Sequence, residues 1–111
     1  MSGAAGEAQV EDLTPEQVAE GIKNGTMLLV DVREPNETAV ERYPGAAIVP
    51  LSAFDVKDIP DPAGKRVVFA CRSGRRSVTA SQAAQAAGLP YDAHLDGGIL
   101  AWKAAGLPTE S

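Results

Sequence analysis

The sequence predicts a single α/β domain with a mostly parallel central sheet and helices on both faces. Three observations predict it. Short apolar runs alternate with helical patterns along the chain, as parallel strands with crossover helices require. Gly and Pro mark most of the junctions between them. The run Arg66-Val67-Val68-Phe69-Ala70 is apolar at successive positions, which marks a strand buried on both faces and therefore central.

The elements follow in order. Residues 1–10 are small and polar and read as a disordered tail, leaving a domain over 11–109. Leu13-Thr14-Pro15-Glu16-Gln17 reads as a helix start, with Thr14 as N-cap, Pro15 at the first helical position and Gln17 closing a capping box. Val18 and Ile22 give that helix an apolar spacing, and Asn24-Gly25 stops it. Met27 to Val32 is a buried strand, and Glu37 to Arg42 a short helix. Tyr43-Pro44-Gly45 turns the chain into a second strand, Ala47-Ile48-Val49, with a brief helix over Leu51 to Val56. Asp61 to Lys65 is a turn into the central strand. After it, Cys71 to Arg75 lead into an Ala-rich helix from Arg76 to Ala87, ended by Gly88 and Pro90. Tyr91 to Leu95 is a fourth strand, and Gly97-Gly98 opens a last helix through Ala105.

The 111 residues suffice for one core without staples. Aromatics are only 5% of the chain, so Ala, Val, Leu and Ile must build that core. One cysteine excludes an intrachain disulfide and a cysteine-rich zinc site. No apolar run approaches the ~18 residues of a membrane helix. The N-terminus shows no basic start followed by an apolar stretch, so a cytoplasmic location is expected. A pI near 4.7 argues against nucleic acid as a partner.

Charge is unevenly spread. From Pro62 to Tyr91 there is no acidic residue, but Lys65, Arg66, Arg72, Arg75 and Arg76 give +5, and the rest of the chain sums to -10. A cationic island on an acidic body attracts a small anion while repelling polyanions. Cys71 lies within it.

A strand, a tight loop and a helix start point several backbone N–H groups at one place, where they form an anion nest. Gly74 gives the loop angles that a side chain would forbid. A sulfur there is expected as thiolate. A free cysteine of pKa about 8.5 is only ~3% thiolate at pH 7, and lowering the pKa by ~2 units raises that to about three quarters, for roughly 2.7 kcal/mol. Charge-assisted N–H contacts and nearby arginines can supply this. The competing reading is an inert core cysteine. The polar neighbours Arg72, Ser73, Gly74, Arg75, Arg76 and Ser77 argue against full apolar burial.

Cys71-Arg72-Ser73-Gly74-Arg75-Arg76-Ser77 resembles the active-site loop of single-domain rhodaneses, a sulfurtransferase family. Asp31-Val32-Arg33-Glu34, Pro44-Gly45-Ala46, and Leu95 to Trp102 followed by Gly106-Leu107-Pro108 are similar to three further family segments in the same order. The likeness runs from about Leu13 to Pro108 and implies the rhodanese-like fold. It also implies that Cys71 is catalytic, with residues 72–77 cradling substrate and persulfide. Arg72 and Arg75 would attract the donor; Arg76 and Ser77 would hold the loop and helix start. The implied partners are a small thiosulfate-like anion as sulfur donor, and cyanide or a low-molecular or protein thiol as acceptor. No cofactor, metal or membrane is implied. Arg42, Thr38 and Ile48 stand where the family often has other residues.

Two alternatives stand beside this reading. One is a persulfide carrier serving a dedicated protein partner. The other is a cysteine-loop phosphatase or arsenate reductase-like enzyme, whose loop is one residue longer; only four residues separate Cys71 from Arg76. His94 reads as structural or surface, Trp102 as core, and Asp31 with Arg33 as a local ion pair or loop support.

Overall fold

A computed structural model describes residues 9–111. The expected N-terminal tail lies, over residues 1–8, outside the described residues. Five strands form one all-parallel sheet: β1 (Glu11–Leu13), β2 (Met27–Asp31), β3 (Ala47–Ile48), β4 (Arg66–Ala70) and β5 (Ala93–Leu95), in the order β1-β5-β4-β2-β3. Four helices join them: α1 (Pro15–Lys23), α2 (Pro35–Thr38), α3 (Arg76–Ala86) and α4 (Gly98–Ala104).

The start of α1 is as expected. Thr14 Oγ1 accepts from the Gln17 N–H at 3.1 Å, and Gln17 Oε1 accepts from the Thr14 N–H at 2.8 Å. Such a box satisfies two first-turn donors and stabilises by about 1 kcal/mol. The central strand is also as expected. β4 lies between β5 and β2, and its residues from Val67 to Ala70 are buried.

Three elements differ. β1 was not expected as a strand: its three residues include exposed Glu11 and Asp12, and only pairing with β5 makes it extended. The helix expected over 37–42 is instead a single turn, Pro35–Thr38: Pro35 takes the first position, the Glu34 N–H donates to Glu37 Oε1 at 3.0 Å, and the helix ends at Ala39. The helix expected over 51–56 is two separate 3-10 turns, Leu51–Ala53 and Val56–Asp58, the second capped by Asp55.

Strand pleating divides the core. Val68 and Ala70 of β4 face α1 and α4 with Leu13, Val18, Leu29, Leu95, Ile99 and Trp102. Val67 and Phe69 point the other way, toward Ala80 and Ala84 of α3, and Cys71 continues that row. Helices thus cover both faces.

Candidate active site

The site begins where β4 ends. Cys71 follows the last strand residue and continues the row facing α3. That alternation corrects one expectation: Cys71 is 1% exposed and packs in the α3-side core, despite its polar neighbours in sequence. Arg72, Ser73 and Arg75 are exposed, whereas Ser77 is buried and turns its hydroxyl, with loop amides, toward the sulfur. Cys71 Sγ accepts from the Gly74 N–H at 3.1 Å and lies 3.6 Å from Ser77 Oγ. Burial pushes the thiol up. The Ser77 hydroxyl, then the amides of Ser77, Gly74 and Ser73, more than offset that and leave it below its ordinary value. Arg75, at the cap of α3, gives no side-chain cap, so first-turn N–H groups remain for the sulfur.

The loop can turn its amides inward because its carbonyls are taken elsewhere. The Cys71 carbonyl accepts from the Tyr43 hydroxyl at 2.7 Å and from the Ile99 N–H at 2.9 Å. The Arg72 carbonyl accepts from the Leu100 N–H at 3.2 Å. The first amides of α4 thus fasten the loop from behind. Gly98 makes this approach possible: its φ is +60°, and a Cβ there would meet the Arg72 carbonyl and lie 2.6 Å from the Cys71 oxygen. Gly74, at φ +101°, meets a similar limit, with a Cβ 3.0 Å from the Gly97 nitrogen.

Arg72, Ser73 and Arg75 are exposed on the loop, and among the described residues no ion pair holds either arginine. Arg76 is different. Its two Nη groups donate to the two carboxylate oxygens of Glu37 at 2.6 and 2.9 Å, and the guanidinium holds the Glu37 carboxyl at about 2. Arg66 is likewise tied to Glu11 and Asp92. The cationic island read from sequence is therefore partly neutralised, and Lys65, Arg72 and Arg75 remain as its unpaired members among the described residues.

Asp31 and Arg33 form a buried ion pair, 2.7 Å between Arg33 Nη2 and Asp31 Oδ2, with Arg33 Nε and N–H also donating to Asp31. The guanidinium carbon lies 5.5 Å from the Tyr43 ring centroid. Both readings of this pair meet here, since an ion pair supports the loop through Tyr43.

Sequence reasoning missed His94 as part of this site. It is buried, with Nδ1 2.8 Å from Ser77 Oγ and Nε2 2.6 Å from Asp12 Oδ1. The available signal was a polar residue within a short strand, where burial on both faces demands partners. His94 also forms, with Asp12 and Asp96, a group whose ligand atoms lie within 4.8 Å of one another. A metal there would have to displace hydrogen bonds that His94 already makes.

Residues 14–105 match the family described as Rhodanese-like domain. An uncharacterized protein of Synechocystis is 40% identical over 97 residues, which cover 87% of this chain and 54% of that one. The chain thus spans about half that relative's length. A protein named Sulfurtransferase from Allochromatium vinosum is 38% identical over 82 residues, 74% of this chain and 77% of that one. Among solved structures, a thiosulfate sulfurtransferase from Pseudomonas aeruginosa superposes with a TM-score of 0.73 at 32% identity, covering 95% of this chain and 20% of that one.

Proposed function

This chain belongs to the rhodanese-like domain family, and from that premise we propose that it moves a sulfane sulfur from thiosulfate or a similar donor, through a persulfide on Cys71, to cyanide or a thiol. The observation that carries this reading is the sulfur of Cys71 at the end of the central strand, with loop amides turned toward it and Arg72 and Arg75 exposed on the same loop.

In the first half-reaction the Cys71 thiolate attacks the outer sulfur of thiosulfate. A new S–S bond forms, the S–S bond of thiosulfate breaks, and sulfite leaves with the electron pair. Cys71 then carries an outer sulfur bearing one negative charge, which the same cradle stabilises. In the second half-reaction cyanide or a thiolate attacks that outer sulfur, and the Cys71 thiolate departs. Arg72 and Arg75 draw the anionic donor in. The four residues between Cys71 and Arg76, one fewer than in a cysteine-loop phosphatase, favour this reading over phosphate chemistry, and the pairing of Arg76 with Glu37 leaves Arg72 and Arg75 to attract the donor.

Intact mass after thiosulfate treatment tests it. One added sulfur is expected in the parent and none in Cys71→Ser. A parent without added mass overturns the reading.

A further inference from the structure

Asp12, His94, Ser77 and Cys71 form one continuous line of polar contacts from the surface to the buried sulfur. The distances are 2.6 Å from Asp12 Oδ1 to His94 Nε2, 2.8 Å from His94 Nδ1 to Ser77 Oγ, and 3.6 Å from Ser77 Oγ to Cys71 Sγ. Strand register builds it. Asp12 on β1 stands beside His94 on β5, which stands beside Phe69 on β4. Parallel strands in register present side chains to the same face, and Cys71 lies two residues past Phe69 on that face. Ser77 reaches down from α3 between them. The His94 side chain is 3% exposed and that of Asp12 is 68% exposed.

Hydrogen-bond bookkeeping fixes where the protons sit. An ionised carboxylate only accepts, so His94 Nε2–H donates to Asp12. In a neutral imidazole Nδ1 then accepts, and the Ser77 hydroxyl donates to it. The Ser77 oxygen has lone pairs left, which take the Cys71 S–H. When the thiol ionises, this order must reverse, since a thiolate needs the Ser77 hydroxyl proton. Ser77 can give it only if His94 Nδ1–H now donates to Ser77. Both ring nitrogens then carry protons, with Asp12 at Nε2 and Asp96 close by to balance the imidazolium.

We propose that His94 is a positioning residue that accepts the Cys71 proton through the Ser77 hydroxyl, and that the resulting imidazolium supports the anionic sulfur of both thiolate and persulfide. The S–H bond breaks as the Ser77 oxygen takes that proton; the original Ser77 O–H bond breaks as Nδ1–H forms. No co-reactant is needed, and net charge is conserved within the line. The proposal rests on Cys71 being the nucleophile. The charged or titratable groups facing His94 are Asp12 from β1, Asp96 from the β5–α4 turn and Cys71 beyond Ser77; β4 offers Phe69 and the loop Gly74.

The test follows the thiolate's ultraviolet absorbance against pH, which needs no reagent to reach the buried sulfur. Asn at position 94 keeps an acceptor near Nδ1 but cannot hold the proton. In His94→Asn the Cys71 midpoint is expected to rise by about one unit, with about tenfold less thiolate below it. A purely structural His94 would lower stability and leave the midpoint in place. In parallel, nitrogen NMR of the parent reads the ring directly, so a variant that fails to fold leaves the question answerable. Nδ1 protonated while Cys71 is anionic supports the relay. Nδ1 bare in that state, or an unmoved midpoint in a folded His94→Asn, overturns the relay and leaves the thiolate reading intact. A parent midpoint above about 8 removes both.

Discussion

The backbone N–H of Ile99 donates to the carbonyl of Cys71 at 2.9 Å, so the first turn of the last helix and the floor of the cysteine loop form one hydrogen-bonded unit. The amide cradle is built from behind, by groups that never face the sulfur.

Gly98 is the residue that this contact depends on. Gly98→Ala would drive a methyl into the carbonyls of Cys71 and Arg72 and strain a left-handed backbone. The expected cost is roughly 2–4 kcal/mol in urea unfolding. Thiosulfate labelling of whatever remains folded should also slow. Unchanged stability would show that the loop tolerates a retreat of α4.

Cys71 should alkylate with a midpoint below the ~8.5 of a free thiol, since its thiolate is favoured by Ser77 and the loop amides. The sign is fixed: the reactive form dominates above the midpoint and is lost as pH falls through it. Rate against pH with a small haloacetamide gives the midpoint, and a value above about 8 contradicts the cradle.

The Glu37–Arg76 pair makes acid stability specific. The Glu37 carboxyl is held at about 2 in the folded chain, below an ordinary carboxylate. Its stabilising contribution is therefore complete above about 4.5 and is lost as pH falls toward 2, by roughly 1–3 kcal/mol. Glu37→Gln should flatten the unfolding profile in that window, and denaturant titrations at several pH values measure the difference.

Arg33 neutralises a carboxylate that is fully buried. Arg33→Met leaves the buried Asp31 carboxyl without its cation, with an expected loss of about 3–5 kcal/mol. Arg33→Met with Asp31→Leu should recover part of it. Chemical denaturation of both variants separates the cost of the orphaned carboxyl from that of the site.

Arg72 and Arg75 act as exposed cations. Replacing both with Gln should raise the thiosulfate concentration for half-maximal labelling several-fold at low salt. The gap should close near ~1 M salt, where screening acts over about 3 Å. A gap independent of salt would mean that the arginines shape the loop instead of attracting the donor.

Much of this was legible before any coordinates. The capping box at Thr14 and Gln17 is a local code, because the atoms that meet are three residues apart. Arg66 to Ala70 announced a central strand through continuous apolarity, and the loop after it carried the cysteine, the glycine and the arginines together. β1 was hidden because Glu11 and Asp12 have no strand signal of their own. Cys71 was misjudged as to burial because its sequence neighbours are polar, whereas its spatial neighbours are set by the pleat of β4.

The sequence by itself determined the alternating elements, the boundary residues and the position of the nucleophile candidate at a strand end, since these follow from backbone preference and hydrophobic period over a few residues. Only the tertiary structure decided that Asp12 meets His94 across 82 positions, that His94 meets Ser77, and that Gly98 lies against the loop. Those contacts depend on the strand order β1-β5-β4 and its register, and no local window of sequence encodes which strand will lie beside which.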